Sequence, residues 1–274
     1  MRSRRFGPLD VDVPVIGLGT WKMERDDAVA AVAAIHHGIE LGMAHVDTAE
    51  MYGNGIVEML VREAIAGIRD KVFLVSKVLP SNATHAATIH ACEDSLARLN
   101  TDYLDLYLLH WRGPTPLAET FGAFEVLREQ GKIRAWGVSN FDTDDLTEAL
   151  VVAGPGKIAC NQVLYHLGDR TIEHEVLPWC ERNDVAVVAY SPFGSRCGFA
   201  KSQALAVLAQ QCNARPRQLA LAFLAQKAFV IPKSADVLHV AQNAAAADLV
   251  LDDDTLAAID AAFPRGPWRG LPSI

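Results

Sequence analysis

The sequence lacks the long apolar segments and the paired cysteines that mark membrane and secreted proteins. Along its 274 residues no apolar run approaches the ~20 residues that a membrane-spanning helix needs. The five cysteines are odd in number and include no C-x-x-C pair, which indicates reduced thiols in a cytoplasmic protein: Cys92, Cys160, Cys180, Cys197 and Cys212. The N-terminus is basic, but no apolar segment of the kind found in secretory signals follows it. We therefore expect a cytoplasmic protein with no membrane partner.

Basic residues are also fewer than acidic ones: 25 Lys and Arg against 33 Asp and Glu give a formal net charge of −8 and a pI of about 5.6. This balance argues against a general affinity for nucleic acid, although it leaves room for a local basic pocket. Motifs of three other kinds of site are missing. Gly17-Leu18-Gly19 has no third glycine for a dinucleotide fingerprint, Gly154-Pro155-Gly156-Lys157 lacks the outer residues of a P-loop, and no H-E-x-x-H pattern occurs. We predict no metal site.

What the sequence does contain is a regular alternation of short apolar runs with longer Ala/Leu/Glu-rich segments. The apolar runs predict strands near 15–18, 43–46, 72–75, 104–109, 134–138, 158–161, 185–189 and 229–231. The intervening segments predict helices near 26–41, 56–68, 83–99, 118–130, 142–152, 171–183, 202–212 with 216–226, and 236–246. Eight βα units without a long linker favour a closed (β/α)8 TIM barrel of the α/β class over an open doubly wound sheet.

The remaining segments fit around a single barrel domain that covers residues 1–274. Residues 5–14 alternate in polarity and contain turn residues, which predicts an N-terminal β-hairpin at the bottom of the barrel. A final helix is expected from about 252 to 262, followed by a Pro/Gly/Trp-rich C-terminal tail at 263–274. Helix-boundary residues agree with this division, namely a capping aspartate, a terminating glycine and a first-turn proline at Asp142, Gly131 and Pro216.

Four polar side chains stand at or just beyond the ends of predicted strands: Asp47, Tyr52, Lys77 and His110. The carboxyl ends of barrel strands share one face, and the chemistry of such barrels takes place there. A tyrosine can donate a proton to a carbonyl oxygen as negative charge develops on it. A lysine ammonium lowers the pKa of that tyrosine, a carboxylate holds the lysine, and a histidine orients the substrate oxygen. Each residue alone has an ordinary structural explanation, but the four together predict a carbonyl reductase.

Further polar residues follow the later strands and suit a cofactor. Ser139 and Asn140 follow the fifth strand and Gln162 follows the sixth, and their amides and hydroxyl can hold a carboxamide such as that of nicotinamide. Tyr190 and Ser191 follow the seventh strand, where the tyrosine ring can stack on nicotinamide. Lys233 and Ser234 follow the eighth strand near a helix start, which is typical of a phosphate site.

With these motifs in place, the sequence resembles the aldo-keto reductases. The matching segments occur in family order between residue 15 and about 243: residues 42–49 with Tyr52-Gly53, Val75-Ser76-Lys77, residues 102–111, Gly137-Val138-Ser139-Asn140, Asn161-Gln162 and Ile231-Pro232-Lys233-Ser234. The resemblance implies a (β/α)8 barrel, reversible reduction of aldehydes and ketones by NADPH, and a catalytic tetrad at Asp47, Tyr52, Lys77 and His110. Residues 48–52 and 161–168 are most similar to bacterial reductases of methylglyoxal and other small aldehydes.

Two departures from the family pattern concern the cofactor end and one strand. Many members have an arginine five residues after the serine of Lys-Ser and then Glu-Asn, where this chain has His239, Gln242 and Asn243. The resemblance implies that these three positions contact the adenosine end. Because a histidine is mostly uncharged at neutral pH, we expect NADPH to be preferred over NADH by a narrower margin than an arginine would give. Met43-Ala44 replaces a common aromatic-arginine pair and is expected to belong only to the strand.

The substrate pocket is expected to be small and open. Trp21 and Trp111 follow strand ends and are predicted to form its walls, with Phe193 and Trp268 at the rim. Short loops favour small carbonyl compounds, such as methylglyoxal, as substrates. We expect a monomer with no other partner. Two other functions stay open: an NADPH-binding, redox-sensing subunit with little turnover, and a cofactor-free isomerase or hydrolase that uses Asp47 and His110.

Overall fold

A computed structural model describes residues 1–194 and 202–272, and its centre is a sheet of eight parallel strands. An antiparallel hairpin of β1 (Ser3–Arg5) and β2 (Asp12–Pro14) comes first, as predicted. The parallel strands follow in chain order around the sheet: β3 (Leu18–Gly19), β4 (His45–Asp47), β5 (Phe73–Val78), β6 (Leu104–Leu109), β7 (Ile133–Ser139), β8 (Ile158–Leu164), β9 (Ala186–Tyr190) and β10 (Phe229–Ile231).

Backbone hydrogen bonds between the first and last strands close this sheet into a barrel. The N–H of Gly17 donates to the carbonyl of Val230 at 2.8 Å, and the N–H of Val230 donates to the carbonyl of Val15 at 2.9 Å. At Gly19 a Cβ atom would lie only 2.5 Å from the carbonyl oxygen of Ile231, so the approach of β3 to β10 requires glycine there. The predicted (β/α)8 barrel is therefore confirmed, and the open sheet is excluded.

Helices cross back between the strands and pack around the barrel. They are α1 (Ala28–Glu40), α2 (Ile56–Ala64), α3 (His85–Leu99), α4 (Leu117–Glu129), α5 (Thr143–Ala153), α6 (Val176–Arg182), α7 (Gln203–Gln211), α8 (Pro216–Leu224), α9 (Val237–Ala245) and α10 (Asp253–Ala262). The predicted helix-boundary residues lie at helix ends in the structure. Asp142 accepts from the N–H groups of Asp144 and Asp145 at the start of α5, and Gly131 has a φ of 73° just beyond α4.

Two helices are shorter than predicted, and the first strand is displaced. The segment 171–183 divides into a 3-10 turn at Thr171–Glu173 and α6, because Pro178 has no N–H and is tolerated only in the first turn of a helix. The helix predicted at 56–68 ends at Ala64, shortly before Gly67 adopts a φ of 76°. Regular pairing in the first strand begins only at Leu18, although Ile16 bridges to Val230.

The alternation of side chains along the strands determines where the polar residues go. Successive strand residues face opposite sides, so a residue two positions after a barrel-interior residue also faces the interior. The interior cluster includes Val75, Leu106 and Cys160, and Lys77 and Gln162 follow two of these at that spacing. The polar residues at the strand ends thus form the top layer of a packed barrel, above layers of apolar side chains.

The chain after α10 runs back along the outside of the barrel. Arg170 donates from Nη1 to the carbonyl of Phe263 at 2.7 Å, and His174 Nε2 lies 2.9 Å from the carbonyl oxygen of Gly266. Trp268 is half-buried against the core, and its ring meets that of His174 edge-on at 6.4 Å. Polar and ring contacts therefore hold the C-terminal tail in place as far as residue 272.

The cysteines that the structure describes are free thiols. Cys92, Cys160 and Cys180 are buried thiols and Cys212 is half-buried, and none of these four forms a disulfide, whereas Cys197 lies outside the described residues. No helix within 1–194 and 202–272 is both long and apolar enough to cross a membrane.

Candidate active site

A cavity of about 310 Å³ opens at the carboxyl ends of the strands. Its lining combines the top layer of the barrel with the loops that follow, and it includes ten of the residues singled out in the sequence: Trp21, Asp47, Tyr52, His110, Trp111, Ser139, Asn140, Gln162, Tyr190 and Ser191. Phe193 and Lys233 also line it. Residues from almost every strand end therefore meet in one cleft, as the barrel topology requires.

Lys77 lies directly beneath this cavity and is fully buried. Its Nζ donates to Asp47 Oδ1 at 2.6 Å, to the Thr48 carbonyl at 2.8 Å and to the Tyr52 hydroxyl at 3.2 Å. These three acceptors use all three protons of the ammonium. The second oxygen of Asp47 accepts from Gln162 Nε2 at 2.7 Å. The carboxylate and the ammonium are thus each held from two or more sides, which fixes the position of the charge below Tyr52.

Tyr52 reaches the cavity because the backbone turns sharply after it. Gly53, Asn54 and Gly55 have φ values of 56°, 52° and 86°, so three consecutive residues adopt the left-handed conformation before α2 begins. Glycine and asparagine are the residues that adopt it most readily. The Tyr52 ring packs edge-on against the His110 ring at 5.9 Å. The turn therefore places a phenol and an imidazole side by side at the cavity wall.

Burial and the buried ion pair set the protonation of these groups. Burial raises the pKa of Tyr52, and the Lys77 ammonium counteracts only part of that rise. Lys77 thus lowers the pKa of Tyr52 as predicted from the sequence, but the desolvation of a phenolate outweighs that attraction, so the net shift is upward. For Lys77 itself, burial alone would lower the pKa, but Asp47 and Tyr52 together raise it above its ordinary value. Tyr52 is thus protonated at neutral pH and has a cation beside its oxygen.

His110 is neutral across the physiological range. Burial, with a smaller contribution from the charge of Lys77, lowers the pKa of His110 to about 3. Its Nδ1 is buried and has no hydrogen-bond partner among the described residues. An imidazole in this state carries a single N–H, so it can act on a substrate oxygen as a hydrogen-bond donor and not as a cation.

The residues predicted for a nicotinamide form a connected group along one wall. Tyr190 donates from its hydroxyl to Asn140 Oδ1 at 2.8 Å, and Asn140 Nδ2 donates to the His110 carbonyl at 3.0 Å. Ser139 Oγ donates to the Gln162 carbonyl at 2.8 Å. Asn161, next to Gln162, instead points out of the barrel and exchanges hydrogen bonds with the backbone of Phe141. The alternation along β8 thus separates the two neighbouring amides.

The residues predicted for the phosphate end are divided between the cavity and its surroundings. Lys233 lines the cavity, and its ammonium pairs with the carboxylate of Asp26. Ser234 lies just before α9, where its hydroxyl donates to the carbonyl of Asp236 and accepts from the N–H of Asp236, the residue that caps the helix. His239 is exposed on α9, Gln242 is half-buried and Asn243 is buried. Ser234 and these three α9 residues lie outside the described lining of the cavity.

Comparison with known proteins agrees with this geometry. A model of the Aldo/keto reductase family matches residues 15–263. The chain belongs to the aldo/keto reductase family. It is 48% identical to the methylglyoxal reductase YeaE of Escherichia coli over 263 residues, which cover 93% of each chain, and 34% identical to a glyoxal reductase of Bacillus subtilis over 92% of this chain and 89% of the relative. An aldo-keto reductase of Klebsiella pneumoniae in complex with NADPH has a TM-score of 0.94 and 46% identity, covering 100% of this chain and 99% of that one.

For this aldo/keto reductase, the family and fold predicted from the sequence are both confirmed. The structure adds cavity residues that sequence reasoning missed. Thr20 lines the cavity and donates from its hydroxyl to the Asp47 carbonyl at 2.8 Å, Met51 lines it beside Tyr52, and Arg217 reaches it from α8. Thr20 and Met51 adjoin predicted residues in sequence, which was a usable signal. Nothing near Arg217 in sequence indicated a site.

A buried ion pair behind the active site supports the Tyr52 turn in this reductase and was also missed. Glu58 is fully buried and accepts from Ser76 Oγ at 2.6 Å and from Arg98 Nε at 2.5 Å. Arg98 in turn packs against Gly55, where a Cβ atom would lie 2.5 Å from Arg98 Cδ. The pair joins α2, β5 and α3 immediately behind Lys77 and the Tyr52 turn. It therefore positions β5, which contains Lys77, relative to the turn that leads into α2.

Proposed function

We propose that this protein reduces small aldehydes and dicarbonyls, such as methylglyoxal, to alcohols by hydride transfer from NADPH. The observation that carries the proposal is the contact of a buried ammonium with the hydroxyl of a protonated tyrosine that lines an open cavity. General-acid reduction of a carbonyl requires a donor that is protonated at neutral pH and whose conjugate base is stabilised where it forms. Tyr52 and Lys77 meet these two requirements.

The cavity residues fit a nicotinamide dinucleotide. The amides and hydroxyls of Ser139, Asn140 and Gln162 can hold a carboxamide, the Tyr190 ring offers a flat surface, and Lys233 lines the same cleft. When bound, NADPH supplies the hydride. The NADPH complex of the Klebsiella pneumoniae neighbour, at 46% identity, supports the choice of cofactor.

The chain's own residues then move the proton and stabilise charge. The hydroxyl of Tyr52 donates its proton to the carbonyl oxygen of the substrate, and the phenolate that remains is stabilised by Lys77 Nζ. The N–H of neutral His110 donates a hydrogen bond to the same substrate oxygen and orients it. Asp47 accepts a hydrogen bond from Lys77 and another from Gln162, and these contacts keep the Lys77 ammonium in position below Tyr52. Stabilisation is greatest where the negative charge develops, which is what lowers the barrier.

Small substrates suit the size and lining of the cavity. Trp21, Met51 and Trp111 line it together with Tyr52 and His110, and its volume of about 310 Å³ suits a compact carbonyl compound beside the nicotinamide. The 48% identity to a methylglyoxal reductase supports the same substrate class. The monomeric state and the cytoplasmic location expected from the sequence stay predictions.

The test is loss of NADPH absorbance at about 340 nm with methylglyoxal, glyoxal and bulkier ketones, in the wild type and in Tyr52→Phe. We expect Tyr52→Phe to lower kcat/KM by about 10²- to 10⁴-fold, the typical contribution of general-acid catalysis, and to leave the Kd for NADPH nearly unchanged. Tyr107→Phe is a matched control. Its hydroxyl is buried with no hydrogen-bond partner in the described part of the chain, so its removal should cost neither activity nor stability.

Three results would contradict the proposal. Near-full kcat in Tyr52→Phe would mean that another group donates the proton. Tight NADPH binding by the wild type without turnover of any carbonyl compound would favour the redox-sensing subunit, and no NADPH binding would favour a cofactor-free enzyme.

A further inference from the structure

Arg217 is a cavity residue that the mechanism does not use. It lies in the first turn of α8, and its guanidinium carbon sits 4.1 Å from the centre of the Phe193 ring, which also lines the cavity. A guanidinium over an aromatic face is held by cation–π attraction and keeps its N–H edges available. Among residues 1–194 and 202–272, Arg217 makes neither an ion pair nor a hydrogen bond. Within the described residues its charge is therefore positioned at the cleft without a carboxylate that neutralises it.

The other cation in the described cavity lining is in a different state. The ammonium of Lys233 pairs with the carboxylate of Asp26, and both side chains are about one-third exposed. An anion that approached Lys233 would also approach Asp26, so part of the attraction would be cancelled. Of the cationic side chains that the structure describes along this cavity, only Arg217 thus offers an uncompensated charge.

The overall charge of the protein increases the value of such a local cation for phosphate binding. With a formal net charge of −8, the chain as a whole repels an anionic dinucleotide, so phosphate binding depends on local cations. Arginine suits this task because its planar fork can donate two parallel hydrogen bonds to phosphate oxygens. Arg217 also stands at the N-terminal end of α8, where the helix dipole adds positive potential.

We propose that Arg217 binds a phosphate group of the nicotinamide cofactor and contributes to the selection of that cofactor. This inference rests on the proposed function, because it takes the ligand of the cavity to be NADPH. Two phosphate sources share the chemistry: the diphosphate, which NADH also has, and the 2′-phosphate, which only NADPH has. The side chain acts in binding and does not touch the atoms that react.

The test is the Kd of each cofactor, measured by quenching of tryptophan fluorescence in the full-length protein. Trp21 and Trp111 line the cavity and act as reporters. We expect Arg217→Gln to raise the Kd for NADPH about tenfold, as loss of one partly exposed charged hydrogen bond predicts. We also expect the dependence of that Kd on KCl to become weaker, because one screened charge pair is lost.

Arg215→Gln is the matched control, since it removes the same charge two residues away, at an exposed position outside the described cavity lining. If Arg217→Gln raises the Kd for NADPH but not the Kd for NADH, Arg217 binds the 2′-phosphate. If it raises both Kd values equally, Arg217 binds the diphosphate. Unchanged Kd values in a folded Arg217→Gln protein would overturn the inference, as would an equal loss in Arg215→Gln. If the wild type bound neither cofactor, the proposed function itself would fail.

Discussion

Replacement of Lys77 by methionine tests the buried ion pair most directly. Methionine has a similar length but no charge, so Asp47 loses the ammonium that lies 2.6 Å from its Oδ1. Asp47 is 1% exposed and, in the part of the chain that the structure describes, keeps only the amide of Gln162 as a side-chain partner. A buried carboxylate without a counter-ion either remains charged at a high cost or takes up a proton.

Proton uptake by Asp47 sets an upper limit on the free-energy cost of leaving this carboxylate without a counter-ion. From an ordinary pKa near 3.8, protonation of Asp47 costs about 4 kcal/mol at pH 7 and about 1.5 kcal/mol at pH 5. A carboxyl group whose folded pKa is raised binds a proton that the unfolded chain does not. The unpaired Asp47 therefore costs no stability at low pH, where the folded and the unfolded chain both carry the proton. The free energy of unfolding falls as the pH rises above the ordinary pKa, because only the unfolded chain then loses the proton. We expect Lys77→Met to be more destabilising at pH 7 than at pH 5 by about 2–3 kcal/mol.

The assay is urea-induced unfolding of the wild type and Lys77→Met at both pH values, together with steady-state kinetics. The double variant Lys77→Met/Asp47→Asn is the control, because its neutral amide needs no proton. We expect the double variant to lose the extra pH dependence and to regain part of the stability. Its activity should stay as low as that of Lys77→Met, since Tyr52 still lacks the adjacent charge. An equal loss of stability at pH 5 and pH 7 in Lys77→Met would refute the reasoning.

The remaining predictions concern a turn and two histidines. Gly55→Ala should destabilise the protein by more than the roughly 1–2 kcal/mol cost of a left-handed alanine and should lower kcat, because the new methyl group displaces Arg98. Gly67→Ala is its control, because Gly67 has a φ of 76° and an added Cβ would meet no described atom within 4 Å beyond its chain neighbours. Equal effects of the two substitutions on unfolding and kcat would exclude a role for Arg98. His45 and His110 have pKa values lowered to about 3 by burial, so the folded state binds fewer protons than the unfolded chain below about pH 6.5. The free energy of unfolding measured in urea should consequently fall with decreasing pH by up to about 1.4 kcal/mol per pH unit for each histidine. His45→Leu should remove the part of this pH dependence that His45 contributes. An unchanged slope in His45→Leu would mean that His45 does not titrate as its burial requires.

Much of the site was predictable because the relevant physics is local. Period-two alternation places Lys77 two residues after Val75 and Gln162 two residues after Cys160, so both face the interior once those strands form. The four residues at strand ends could be grouped from the sequence alone, because a closed parallel barrel brings every strand end to one face. The pattern of short apolar runs was sufficient to predict that barrel.

Other features depended on contacts between distant parts of the chain. The hydrogen bond from Gln162 to Asp47 joins residues 115 positions apart, and the pair of Lys233 with Asp26 spans 207 positions. Such distances exist only after the barrel closes, and no local pattern encodes them. The net rise in the pKa of Tyr52 likewise depends on its depth of burial against the strength of one ion pair.

The sequence by itself therefore determined the barrel and the set of residues at the strand ends, because these follow from periodicity and residue type, and the resemblance of its motifs indicated the family. Only the tertiary structure decided which of those residues are paired, which charges are neutralised and which remain available. It paired Lys233 with Asp26 and brought Arg217 to the cleft from a helix with no motif. The physical reason is that hydrogen bonds and ion pairs depend on distances of a few ångströms, which are set by the packing of the whole barrel.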